Sequence, residues 1–214
     1  MISSVKWPAF KRPLVAILRG IRPDETAGIV YALVEAGFEA IEIPLNSPEP
    51  FRSIEIAAKR APAGCLIGAG TVLSVDEVGE LADAGGRLMV SPNVDAGVVR
   101  AASEKGMVTM PGVFTATEAL LAASAGASAL KFFPANVLGP SGINAVRAVL
   151  PKGMEVGAVG GVSERDFDAY AKAGIRIFGL GSSLYKPGAT AAEIGAKART
   201  VIAAYDAAFG GESR

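Results

Sequence analysis

Residues 14–46 read LVAILRGIRPDETAGIVYALVEAGFEAIEIPLN, and the fold turns on how this stretch is divided. LVAIL from Leu14 and AIEIPL from Ala40 are short and apolar, of strand length and bounded by turn-forming residues. Between them PDETAGIVYALVEAG has the helical period. Pro23 and Asp24 suit a helix start, and Gly37 suits a helix end. A strand, a helix and a second apolar strand imply parallel pairing, because two parallel strands cannot be joined by a tight turn.

The same division repeats along the chain. LIGAG from Leu66, LMV from Leu88, MVTM from Met107, SALKFF from Ser128, EVGAVGG from Glu155 and RIFGLG from Arg176 complete eight runs, spaced about 23 residues apart. Helical segments such as VDEVGELADAGG, TATEALLAASAGA and SERDFDAYAKAG lie between them, each closing on glycine. Continuous apolar strands alternating with helices predict an α/β fold whose sheet is covered on both faces. Eight units predict a (β/α)8 TIM barrel, with an open doubly wound sheet as the alternative. Residues 1–214 would form one such barrel domain with a short N-terminal extension. At 214 residues it is small for a class typically of about 250, so its loops must be short.

Composition excludes whole classes of chemistry. The chain has no histidine, which removes Ser-His-Asp and Cys-His nucleophile arrangements and most catalytic zinc sites. The single cysteine, Cys65, lies in an apolar run and reads as a small hydrophobe rather than a nucleophile. Lys plus Arg equals Asp plus Glu at 21 each, leaving no basic surplus for nucleic acid. Charges at Lys6, Lys11 and Arg12 interrupt the N-terminus, and no apolar run reaches the ~18 residues of a membrane span. The expectation is a cytoplasmic enzyme without a membrane partner.

In a (β/α)8 barrel the active site lies at the C-terminal ends of the strands. The polar residues there are Arg19 after the first run, Glu42 near the end of the second and Asn46 just beyond it, and Thr71 at the third. Pro92 and Asn93 follow the fourth, and Lys131 lies late in the sixth. The last two runs end in AVGG, with Gly160 and Gly161, and in GLGSS, with Gly179, Gly181, Ser182 and Ser183. Glycine lets backbone N–H groups approach an anion, a helix capped by Ser163 would add positive potential, and these are the loops that hold phosphate in such barrels. Each residue also has a purely structural reading, as a solvated loop residue, a β-former or a tight turn. Glu42 and Lys131 resist it, because a carboxylate in AIEIP and an ammonium in SALKFF are both costly where their neighbours are buried. A desolvated lysine attacks a carbonyl as the free amine, and a buried glutamate can move protons. That pair, with no clustered carboxylates for a metal, describes a metal-independent aldolase acting on a phosphorylated keto compound without a cofactor. The apolar residues Leu130, Phe132 and Phe133 would keep Lys131 from water.

VAILRGI, AIEIPLNSP, GAGTVL, SPN, PGVFTATEA, ALKFFPA, AVGGV and GLGSSLY occur in this order, and the pattern resembles the class I aldolases of 2-keto-3-deoxy-6-phosphosugar acids from about Leu14 to Gly188. The resemblance implies retro-aldol cleavage to pyruvate and glyceraldehyde 3-phosphate on a homotrimeric barrel. It implies that Lys131 forms the Schiff base and that Glu42 shuttles protons. Arg19 and Thr71 would hold the pyruvate carboxylate, with Pro92 and Phe133 packed on it. Gly160, Gly161, Gly181 and Ser182 would hold the phosphate. Gluconate-type members usually carry a Thr-Leu-Arg-Thr-like segment where this chain has Pro44-Leu45-Asn46-Ser47, and a threonine where it has Val159. Both positions resemble the galactonate type. The gluconate-type substrate, the C4 epimer, remains the nearest alternative. A non-catalytic phosphosugar-binding barrel, and a decarboxylase or isomerase on a similar barrel, are more distant ones.

Overall fold

The computed structural model describes residues 4–210. Strands β1 (Leu14–Ile17), β2 (Ala40–Pro44), β3 (Leu66–Gly70), β4 (Leu88–Val90), β5 (Val108–Met110), β6 (Gly112–Val113), β7 (Ala129–Phe132), β8 (Glu155–Val159) and β9 (Ile177–Leu180) form one sheet in the order β5-β4-β3-β2-β1-β9-β8-β7-β6. Every recorded pairing is parallel.

Nine strands occupy eight places. β5 and β6 are the two halves of the fifth expected strand, parted at Pro111, which has no N–H to give the ladder. β5 pairs with β4 and β6 with β7. Backbone bonds from Ser128 to the Thr109 carbonyl (3.1 Å), Lys131 to Pro111 (2.9 Å) and Phe133 to Val113 (3.1 Å) close the ring. The TIM-barrel expectation therefore holds, and the break is local.

Helices α1 (Pro23–Ala36), α2 (Pro50–Arg60), α3 (Val75–Asp83), α4 (Ala96–Glu104), α5 (Ala116–Ser124), α6 (Ala135–Arg147), α7 (Phe167–Lys172) and α8 (Ala191–Phe209) follow the strands. α1 begins at Pro23 and ends on Gly37, whose φ of 107° lets its N–H reach back to the Leu33 and Val34 carbonyls. Capping boxes pair Ser74 with Glu77, Thr115 with Glu118 and Thr190 with Glu193; such caps are worth roughly 1 kcal/mol each.

Strand alternation divides the core in two. Val15, Ile17, Ala40, Leu88, Val90, Val108, Met110, Ala129, Val159 and Ile177 fill the barrel interior. Their chain neighbours Ala16, Ile41, Ile43, Met89, Leu130, Phe132, Ala158 and Phe178 face the helices. The N-terminal extension joins the inner cluster through Val5, Trp7 and Phe10, with the Trp7 and Phe10 rings edge to face at 5.8 Å. No helix among the described residues is long and apolar enough to cross a membrane.

Candidate active site

Alternation decides where Lys131 and Glu42 point. Ala129, two residues before Lys131, and Phe133, two after, belong to the inner cluster, as does Ala40 two before Glu42. Both charged side chains therefore enter the barrel. They are nearly out of water, Glu42 1% and Lys131 6% exposed. β2 and β7 lie four places apart in the ring, so the two groups come from opposite walls.

Burial is the main force on both. It pushes the Lys131 ammonium below its ordinary value, with Glu42 pulling it back up and Arg19 pushing it further down. Burial likewise raises the Glu42 carboxyl to about 7, against the opposing attraction of Lys131 and Arg19. Glu42 Oε2 has no hydrogen-bond partner among the described residues. Room for this carboxylate comes from β3: a Cβ at Gly70 would overlap it, so Gly70 is required by Glu42 and not by its own backbone. The shielding of Lys131 differs from expectation. Leu130 and Phe132 point into the helix layer and cannot cover it. Phe133, whose ring centroid lies 4.9 Å from Nζ, does.

Lys131 opens into a cavity of about 430 Å³ at the C-terminal ends of the strands. Arg19, Thr71, Pro92, Phe133, Val159, Gly160, Gly161, Gly181 and Ser182 all line it. Glu42 is absent from the lining, standing behind the surface as a buried partner of Lys131. Asn46 and Asn93 also stand outside it. Asn46 instead accepts a 2.5 Å hydrogen bond from the Arg19 guanidinium, and the buried Ser47 hydroxyl accepts the Gly20 N–H at 2.9 Å. The Pro44–Ser47 segment thus positions the loop carrying Arg19. Thr71 has a φ of 59°, a left-handed conformation that a β-branched residue rarely adopts.

The two glycine loops form the other end. Gly160 and Gly161 have φ of 92° and 68°, and side chains there would collide with Phe133 and Asn136. Gly181 differs: a Cβ would meet nothing nearer than Ile17 at 3.9 Å, so the room it leaves opens on the cavity. Ser183 donates its hydroxyl to the Val162 carbonyl at 3.1 Å and ties the loops together. The helix expected after the glycine pair starts as a single 3-10 turn, Glu164–Asp166, and α7 is short. The Asp166 carboxylate takes both the Ser163 N–H (2.8 Å) and its hydroxyl (3.0 Å). Ser163 does cap the turn, but its N–H is spent within the chain and is not left for an anion.

Two features escaped the sequence. Lys186 lines the cavity beyond Ser183, and no motif pointed to it. The Ser183 strut was visible only as part of a glycine-serine run. Cys65 is partly exposed rather than buried, and burial with Glu39 pushes its thiol up to about 11, which disfavours the thiolate.

The chain is similar to known proteins in both sequence and fold. The family model "KDPG and KHG aldolase" matches residues 9–197. A protein of Rhizobium meliloti (strain 1021) named "Probable 2-dehydro-3-deoxy-6-phosphogalactonate aldolase" is 68% identical over 208 residues, covering 97% of this chain and 98% of that one. The 2-dehydro-3-deoxy-6-phosphogalactonate aldolase of Escherichia coli (strain K12) is 46% identical over 201 residues, covering 94% and 98%. A solved structure described as "Native KDPGal structure" superposes with a TM-score of 0.92 at 45% identity, covering 96% of this chain and 100% of that one.

Proposed function

The chain belongs to the KDPG and KHG aldolase family, and from that premise we propose that it cleaves 2-dehydro-3-deoxy-6-phosphogalactonate to pyruvate and D-glyceraldehyde 3-phosphate through a Schiff base on Lys131. The observation that carries the reading is a lysine buried inside the barrel, on the wall opposite a buried glutamate, where burial lowers the pKa of the one and raises that of the other to about 7.

Lys131, as free amine, adds to the C2 ketone, and the carbinolamine loses water to an iminium. Glu42 accepts the C4 hydroxyl proton. The C3–C4 bonding electrons move into the iminium, the aldehyde leaves and an enamine remains. Glu42 returns a proton to C3, and water hydrolyses the pyruvate iminium to restore the amine. A carboxyl near 7 suits both directions of transfer, since it is neither a strong acid nor fully protonated at neutral pH. Arg19 and Thr71 receive the carboxylate, Pro92 and Phe133 pack on the pyruvyl unit, and Gly160, Gly161, Gly181 and Ser182 take the phosphate. Val159 supports the galactonate epimer, because it offers an apolar wall with no hydroxyl. A trimer in the cytoplasm belongs to the same proposal. Exposed apolar side chains such as Leu120 and Leu121 on α5 offer surface for it, and light scattering tests the assembly.

Borohydride with pyruvate is the direct test. The expected result is inactivation with the added mass on Lys131; an unlabelled protein, or equal labelling of Lys131→Ala, would refute the mechanism. Side-by-side rates on the two C4 epimers test the substrate, and faster cleavage of the gluconate epimer would reassign it.

A further inference from the structure

The cavity is lined by three cations, Arg19, Lys131 and Lys186, and by no carboxylate among the described residues. This is local, since the formal charges of the chain cancel. Arg19 and Lys131 have work at the keto-acid end; Lys186 has none there. It follows a helical turn in which the Leu184 and Tyr185 N–H groups donate to the Gly181 carbonyl at 2.8 and 2.9 Å. The turn ends before Lys186, and Lys186 and Ser182 both line the cavity. The loop is braced beyond it: a Cβ at Gly20 would come within 2.8 Å of Pro187 Cγ, so the chain after Lys186 abuts the loop that carries Arg19. The Lys186 ammonium has no hydrogen bond or ion pair to another described residue.

We infer that Lys186 is the counter-charge for the substrate phosphate and sets the preference for phosphorylated over unphosphorylated aldehydes. The inference rests on reading the glycine loops as the phosphate site. Backbone N–H groups supply dipoles but no net charge, whereas a phosphate monoester carries about −1.5 to −2 near neutrality. An anion leaving water for such donors alone keeps most of its charge uncompensated. A lysine on a flexible stem, unengaged until the ligand arrives, meets it as a point charge.

The test uses the aldol direction, pyruvate with D-glyceraldehyde 3-phosphate or with D-glyceraldehyde, on the parent, Lys186→Gln and Lys186→Arg. Lys186→Gln should raise KM for the phosphorylated aldehyde about tenfold, as expected for a charge-assisted contact partly screened by water. The effect on D-glyceraldehyde should be several-fold smaller, and inorganic phosphate should inhibit correspondingly less well. Lys186→Arg should recover most of the loss. Added salt should raise the parent's KM for the phosphorylated aldehyde more steeply than the Gln variant's. Pyruvate trapping at saturation reports that each variant is folded. Equal effects on both aldehydes, or an unchanged KM for the phosphorylated one, would overturn the inference and leave the aldolase reading intact. A parent that makes no product and takes no pyruvate label overturns both.

Discussion

Glu42 and Lys131 are the two charged residues buried among the described part of the chain, and each opposes the shift that burial imposes on the other. Lys131 draws the carboxyl down while Glu42 holds the ammonium up, so the pair titrates as a unit rather than as two independent groups. Burial outweighs the mutual attraction at both ends. The interior therefore keeps a free amine within reach and a carboxyl able to exchange protons near neutrality.

Removing one partner exposes the coupling. In Lys131→Ala, Glu42 loses the larger of the two attractions that lower it, and its carboxyl should titrate above the present value of about 7. The protonated carboxyl band in infrared spectra across pH, assigned by its loss in Lys131→Ala/Glu42→Gln, measures the midpoint. A midpoint at or below 7 would mean that the two groups are not coupled.

Glu42→Gln links stability to pH. The folded-state value of about 7 lies above the ordinary carboxyl value of 4.5, so between them the folded chain binds more protons than the unfolded one. Stability from this group is complete below about 4.5 and is lost as pH rises through about 7. Gln resembles the protonated acid and cannot ionise. The variant should match the parent near pH 4.5 and exceed it at pH 8 by up to about 3 kcal/mol, at 1.36 kcal/mol per pKa unit. Urea unfolding at the two pH values checks this, and a pH-independent difference would contradict it. Turnover should fall by roughly 10²- to 10⁴-fold, with the acid limb near pH 7 lost.

Thr71 holds a backbone conformation that costs an ordinary residue of order 1 to 3 kcal/mol. Thr71→Gly should be at least as stable as the parent in urea, despite glycine's greater unfolded-state entropy, and Thr71→Ala should not be stabilised. Both should raise KM for pyruvate in the aldol direction. If Thr71→Gly binds pyruvate as well as the parent, the strain has no role in the site.

Two glycines should respond in opposite ways. Gly70→Ala pushes directly on the Glu42 carboxylate and should destabilise the fold while lowering turnover. Gly181→Ala meets no atom nearer than 3.9 Å and should unfold at the parent's urea concentration, yet bind inorganic phosphate less well. Calorimetric titration with phosphate separates the cases; unimpaired binding in Gly181→Ala would remove that residue from the phosphate site.

Val159 is a buried wall residue of the cavity, and a hydroxyl there gives the C4 group a new partner. Val159→Thr should shift the ratio of kcat/KM values toward the gluconate epimer by about tenfold, the scale of one added hydrogen bond. Parallel assays on the two epimers decide it, and an unchanged ratio would place selectivity elsewhere.

The rhythm of apolar runs and glycine-ended helices made the barrel legible, because strand length and helical period are local. The break at Pro111 could also have been anticipated, since a proline cannot donate to a ladder. The shielding of Lys131 follows the same local rule: Leu130 and Phe132 flank it in sequence but alternate to the other face. Lys186 was invisible because one lysine in a surface loop resembles any other until the chain folds around it. That Ser163 caps only a short 3-10 turn, with its N–H held by Asp166, is a detail that only the folded chain shows.

The sequence by itself determined the alternation of parallel strands and helices, the end at which a site forms, and the residue types available once histidine is absent. Those properties follow from patterns a few residues long and from composition. Only the tertiary structure decided that Glu42 and Lys131 face one another from opposite walls, that Gly70 makes room for the carboxylate, and that burial outweighs their attraction. Closing the sheet brings together residues distant in the chain, and proton affinities depend on how much water that closure removes.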